Sequence, residues 1–250
     1  MISISIAPAV YGNNLHATLF SAAGNDKGAI LLITPFFEEK RCTHRALFTC
    51  AQSLANAGYT TLIPDLTGTG NSAGDLVEIS LEHWHNDLRA ATAVLPAGLP
   101  ITIIGCRAGA LLAVDLLHES TQIDRMILWH PVTAGKSYLR ETVLRRMSQN
   151  SIVGGEKPQV GEFEIEGQLL SPELYLGMQA LKMPEKPPHS NMRLLQCSFS
   201  EKILGEYARL GERWDDSLTI NTIISKPFWQ PHTPYAYADL ATALLDEVTA

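Results

Sequence analysis

From residue 29 onward the chain repeats one unit: a short unbroken apolar run, a turn, then a longer stretch with apolar residues at helical spacing. Residues 29–34, 59–63, 101–105 and 125–129 are the runs, and 43–57, 81–95 and 108–118 are the helical stretches. In 43–57 the apolar positions are Ala46, Leu47, Cys50, Leu54 and Ala57, one face of a 3.6-residue period, with Gly58 placed as a stop. Strands that are apolar without alternation are buried on both faces. Strands that alternate with helices imply right-handed crossovers. The expected fold class is therefore α/β, a mostly parallel central sheet flanked by helices.

Two β-type runs, 2–10 and 15–21, come first and lead into the turn-rich Gly24-Asn25-Asp26-Lys27-Gly28, which predicts an N-terminal antiparallel hairpin. The strand and helix rhythm resumes late, with strand 192–197, helix 202–214, strand 217–224 and helix 235–248. In between, residues 132–189 turn basic and rich in Gly and Pro, and so long a departure inside a compact domain is usually functional. Because the sheet pattern resumes afterwards, one domain with an insertion is expected: a core of 1–131 and 190–250, and a lid of 132–189. Within the insertion Arg140, Arg145 and Arg146 alternate with Tyr138, Leu139, Val143, Leu144 and Met147 as a basic amphipathic helix. Such a face is either a solvated side of the lid or a contact for a protein partner or membrane surface.

Composition removes several classes of function. With 250 residues, 46% of them hydrophobic, a sizeable core can form. A net charge of −7 with scattered Lys and Arg leaves no basic groove for nucleic acid. No apolar run reaches the about 18 residues that span a bilayer, and Met1–Val10 has no basic leader, so a cytoplasmic protein without a transmembrane segment is expected. Cys42, Cys50, Cys106 and Cys197 show no zinc-type spacing and read as buried thiols, so no metal is expected. Gly68-Thr69-Gly70 lacks the third glycine of a dinucleotide fingerprint, no Walker motif is present, and no cofactor is expected.

The chemistry-bearing motif is Ile103-Ile104-Gly105-Cys106-Arg107-Ala108-Gly109-Ala110, an apolar strand running through a Gly-x-Arg-x-Gly turn into a helix. A Gly-x-Ser-x-Gly turn in this setting mounts a nucleophile on a strained strand-to-helix corner that admits only small neighbours. Here Arg107 holds the nucleophile position. Together with Thr34-Pro35-Phe36-Phe37 after one strand and Asp65-Leu66-Thr67-Gly68-Thr69-Gly70-Asn71-Ser72 after the next, this elbow resembles the α/β-hydrolase superfamily over nearly the whole chain.

The chain is similar in particular to the second type of exosortase A system-associated hydrolase of exopolysaccharide-producing bacteria. That likeness rests on Pro35-Phe36-Phe37-Glu38-Glu39, Pro64-Asp65-Leu66, the elbow, Glu166-Gly167-Gln168-Leu169-Leu170-Ser171-Pro172 and Pro227-Phe228-Trp229. The resemblance implies esterase-like or thioesterase-like ancestry, and an elbow arginine as a family feature.

The superfamily reaction needs a nucleophile, an acid and a histidine in that chain order. Guanidinium stays protonated at neutral pH and cannot attack a carbonyl. Cys106, one residue earlier, is a candidate nucleophile, although it reads more simply as a buried core thiol. Glu201 stands where the acid belongs, although Ser198-x-x-Glu201 also reads as a helix capping box. His232 stands where the base belongs, in a Pro-rich loop. Ser72 reads as a turn residue, and His83 and His85 as falling on different sides of a helix. His130, at a strand end, stands where it can line the cleft mouth.

An elbow side chain points into the crevice at the carboxyl ends of the strands. A buried charge there demands a carboxylate, and Glu38 or Glu39, expected on the loop that Phe36 and Phe37 open, is the predicted bidentate partner. Left unpaired, Arg107 would instead hold the carboxylate or phosphate of a ligand. Two readings stay open: a hydrolase working through Cys106, Glu201 and His232, or a non-catalytic relative that binds a small anionic or acyl molecule, or a protein partner through the lid.

Overall fold

The computed structural model describes residues 4–116, 123–153, 162–230 and 237–250, with the backbone alone described for 147–153. Strands β1 (Ser5–Tyr11) and β2 (Leu15–Ser21) form the expected antiparallel hairpin. Next come β3 (Gly28–Ile33), helix α1 (Phe37–Asn56), β4 (Tyr59–Pro64), α2 (Leu81–Val94), β5 (Ile101–Cys106), α3 (Gly109–Leu116) and β6 (Ile123–Trp129). After an excursion the chain returns through β9 (Met192–Ser198), α6 (Gly205–Trp214), β10 (Leu218–Ile224) and α7 (Tyr237–Thr249). The eight-stranded sheet has the order β1-β2-β4-β3-β5-β6-β9-β10; β2 runs antiparallel to β4, and every pair from β4 to β10 is parallel.

Alternate residues of the central strands feed two cores. Leu31, Ile33 and Ile103 face one side, where Trp84 and Leu88 of α2, Leu111 and Leu112 of α3, and Tyr207 and Leu210 of α6 close over them. Ile30, Leu32 and Ile104 face the other, against Leu47, Cys50 and Leu54 of α1 and Leu240 and Leu244 of α7. This two-sided burial is why the strands read as continuous apolar runs. None of the described helices is long and apolar enough to cross a membrane.

Two boundaries differ from expectation in ways that matter for the site. Helix α1 begins at Phe37, six residues before the expected start at 43, so Glu38 and Glu39 lie in its first turn and not on a loop. Acidic residues are favoured there by the helix dipole, and the apolar periodicity that marks the rest of α1 does not extend over this charged turn. Helix α6 begins at Gly205 with Leu204 as its N-cap, and the Ser198 to Glu201 capping box does not form. Ser198 Oγ instead accepts the Ser200 N–H at 3.3 Å, a local turn that competes with helix initiation.

The excursion between β6 and β9 holds helix α4 (Gly135–Val153), a small antiparallel pair β7 (Glu164–Ile165) and β8 (Gln168–Leu169), and helix α5 (Pro172–Ala180). Glu166 and Gly167 form the hairpin turn, both at positive φ (48° and 90°). Two central residues of this hand match the twist of a tight hairpin, and the second is the residue with no Cβ penalty. Ser171 caps α5 by accepting the Leu174 N–H, with Pro172 in the first turn.

Candidate functional site at the elbow

Strand β5 stops at Cys106 and α3 starts at Gly109, so the chain reverses within two residues. A Cβ on Gly105 would lie 2.5 Å from Ala110 Cα, and one on Gly109 would lie 2.5 Å from the Thr34 carbonyl oxygen. Only glycine fits at either place. Between them Arg107 has φ +54°, a left-handed conformation that costs a residue with a Cβ about 1–3 kcal/mol. The corner is tied down by the Arg107 N–H donating to Trp129 O (3.0 Å), and by Arg107 O accepting from Ala110 and Val132 (3.1 and 3.2 Å).

The guanidinium is enclosed on several sides. Its Nε and Nη2 donate to the two carboxylate oxygens of Glu39 at 3.2 and 3.0 Å, the fork arrangement that suits arginine. Nη1 donates to His130 O at 3.3 Å, and the guanidinium carbon lies 4.5 Å from the Trp229 ring centroid. Arg107 is 7% exposed and Glu39 is fully buried. Burial works against the arginine's charge, but Glu39 outweighs it and holds the guanidinium more firmly protonated than usual.

A second arginine completes the cluster. Arg145 of α4 donates from Nη2 to Glu39 Oε1 at 3.1 Å and lies 3.5 Å from Glu166 Oε1 through Nη1. Glu166 in turn accepts the Glu38 N–H at 3.0 Å, so a carboxylate from the β7–β8 turn caps α1, whose own N-cap Phe36 makes no side-chain cap. The result is a charge-balanced chain, Arg107–Glu39–Arg145–Glu166, from the elbow to the excursion. Burial raises the Glu166 pKa, against the opposing pull of the Glu38 N–H and Arg145. Arg146 of α4 pairs with Glu164. Arg145 and Arg146 are thus drawn into ion pairs with the hairpin rather than left to solvent, and Arg140 alone of the three is exposed.

His130 is buried between Trp229 (ring centroids 4.2 Å) and the edge of Tyr207 (5.5 Å). Its Nδ1 accepts the Cys197 N–H at 3.0 Å, which a neutral imidazole can do. Burial first, and then the Arg107 charge, push its pKa down to about 3. It belongs to the buried floor and does not rim the cleft mouth. Tyr138 donates to Phe36 O, and Tyr207 to Pro131 O, fixing the loops on either side.

Of the acids predicted to meet Arg107, Glu39 does so. Glu38 turns outward, pairs with Arg41 one turn along α1, and has its pKa lowered chiefly by that hydrogen bond. Phe36 stacks on Trp84 at 4.8 Å, and Phe37, at φ +54°, meets Phe36 edge-on. Cys106 is fully buried in the core shared by α1 and α7, and burial holds its thiol pKa well above the ordinary value. Glu201 is exposed, and no hydrogen bond or ion pair joins it to Cys106 or Arg107 among the described residues. His232 lies outside the described residues. No group of His, Cys, Asp and Glu suited to a metal ion occurs among the described residues. Ser72 is a turn residue, donating to Asp65 O and accepting from His16 N–H.

The partners missed by sequence reasoning are Arg145, Glu166, Trp229 and the buried His130. Two left a trace: Glu166-Gly167 is a turn dipeptide, and Phe228-Trp229 follows the last strand, from whose loop Trp229 reaches Arg107.

Comparison with known proteins agrees with this architecture. A family model described as serine aminopeptidase, S33, matches residues 37–158, from the start of α1 through the elbow into the excursion. No curated protein matches the chain. Est1E from Butyrivibrio proteoclasticus, solved with ferulic acid bound, is 15% identical with a TM-score of 0.65, covering 97% of this chain and 100% of its own. The thioesterase domain from the curacin biosynthetic pathway is 15% identical with a TM-score of 0.62, covering 99% of this chain and 100% of its own. A Xanthomonas campestris protein described as an α/β serine hydrolase without lid is 12% identical with a TM-score of 0.60, covering 100% and 95%. Strand order, glycine-flanked elbow and these likenesses agree on one conclusion: the chain has the α/β-hydrolase fold.

Proposed function

We propose that this chain is a hydrolase-fold protein that carries out no serine-type ester hydrolysis at its elbow and acts as a binding protein in an exosortase-linked exopolysaccharide system. The observation that carries the first half is the arginine fork: Arg107 occupies the nucleophile position and is consumed by Glu39, His130 O and Trp229. The second half rests on the resemblance of the stretches around Phe36-Phe37, the elbow, Glu166-Gly167 and Phe228-Trp229 to that family.

A guanidinium so placed supports an internal lock over a ligand-binding anchor, because three of its nitrogens already have acceptors and little of it meets water. Cys106 is a poor stand-in for serine, since attack needs an accessible thiolate and both exposure and pKa oppose it. The contacts of the described parts of this excursion with the elbow cluster, through Arg145 to Glu39 and Arg146 to Glu164, fit a lid held by these two arginines.

The test is turnover. With p-nitrophenyl acetate and butyrate and a short acyl thioester, the purified protein is expected to release product at the buffer rate. A fluorophosphonate probe and iodoacetamide are expected to leave native Cys106 unlabelled at neutral pH. Saturable turnover, lost together with labelling in Cys106→Ala, would overturn the reading.

A further inference from the structure

Beside the elbow, and sharing none of Cys106, Arg107, Glu39 or Trp229, lies an open cleft of about 460 Å³. That is within the roughly 300–1,000 Å³ of small-molecule sites. The buried Phe36, Phe37, Leu76 and Trp84 line it, together with Gln168 and Leu169 of the β7–β8 hairpin. The loop after β4 contributes Thr69 and Val77 to the lining.

Two features indicate an occupant. Leu169 and Val77 are 58% and 40% exposed, and both line this cleft, so water meets apolar surface there. The polar end carries a closed charge pair: Lys40 Nζ lies 2.7 Å from Asp65 Oδ1 and 3.0 Å from Thr69 Oγ1. Asp75, the other acidic or basic residue of the lining, is exposed and accepts the Val77 N–H through Oδ1. With Lys40 neutralised and Asp75 added, an anionic ligand meets net negative charge. A cation has only a solvent-exposed carboxylate to pair with, while hydroxyl, amide and ester groups match Thr69 and Gln168.

We infer that this cleft is a binding site for an uncharged amphiphile, a single apolar chain with a hydroxyl, amide or ester end, seated against Leu169 and Val77. The inference gives a binding protein its ligand class at a site apart from the elbow. Its test reads binding while the elbow test reads turnover, so either can fail alone.

The probe is the neutral fluorophore 1-N-phenylnaphthylamine, titrated into the full chain and displaced by decanol, decanoate and decylamine. Saturable binding of one probe per chain is expected, with decanol the strongest of the three competitors. Leu169→Lys and Val77→Lys, both at exposed positions, are expected to weaken it about ten-fold, the scale of one lost leucine contact. Ile224→Lys, an exposed position on β10, is expected to leave it unchanged, and circular dichroism confirms that each variant is folded. Absence of saturable binding, or Leu169 and Val77 variants that bind like the parent, would overturn the site. Decanoate or decylamine matching decanol would overturn the ligand class.

Discussion

Arg107 concentrates the conflict in this molecule: a long charged side chain at a corner built for a small one, in a left-handed conformation, under a protein interior. Its geometry explains why lysine cannot replace it. Arg107→Lys keeps the charge but loses the fork to Glu39 and the planar contact with Trp229. It is expected to lower stability by about 2–3 kcal/mol in denaturant titration, and parent-like stability would show that the fork is unimportant. His130 makes a second prediction. Its pKa rises from about 3 in the folded protein to about 6.5 when unfolded, so the unfolded chain takes up the proton first. The stability it contributes is present above about pH 6.5 and drains away as pH falls from there toward 3, by at most about 1.4 kcal/mol per pH unit. Glu166, with its raised pKa, acts with the opposite sign just above the ordinary carboxylate range, so the comparison with His130→Asn isolates the histidine. Urea midpoints between pH 7 and 5 should fall more steeply for the parent than for that variant. Legibility at this scale was partial. The need for a carboxylate opposite Arg107 follows from charge burial alone, whereas Arg145, 38 residues further along the chain, is joined to it only by the tertiary fold.

The hairpin strands β7 and β8 are two residues long, so their ladder is weak and their position depends on Ile165, Leu170 and the contacts of Glu166. Glu166 joins this hairpin to α1 by capping the Glu38 N–H and to α4 through Arg145. Glu166→Gln is expected to speed hydrogen exchange of the Glu38 amide and to cost about 1–2 kcal/mol, with β1–β2 unaffected. Unchanged exchange at Glu38 would show that the cap is dispensable. Sequence periodicity saw α1 from residue 43 onward because its apolar face starts there. The first turn is polar and is held from outside by a residue 128 positions away. The hairpin stayed invisible because two-residue strands have no period to detect.

At the scale of the whole molecule, the parallel sheet was readable because each central strand is buried on both sides and so appears as an uninterrupted apolar run. The elbow was readable because Gly105 and Gly109 are each forced by a 2.5 Å approach. What could not be read was the closure of the crevice, since it brings together α1, the elbow, α4, the β7–β8 turn and the loop carrying Trp229, five segments spread over most of the chain. This closure is a structural lock centred on Arg107 and Glu39. A double-mutant cycle with Arg107→Met and Glu39→Gln, read by chemical denaturation, tests it most directly. Glu39→Gln is expected to cost about 3–5 kcal/mol by stranding the buried Arg107 charge, Arg107→Met somewhat less because Arg145 still pairs with Glu39, and the double variant much less than their sum. Single costs below about 1 kcal/mol, or costs that simply add, would contradict the lock.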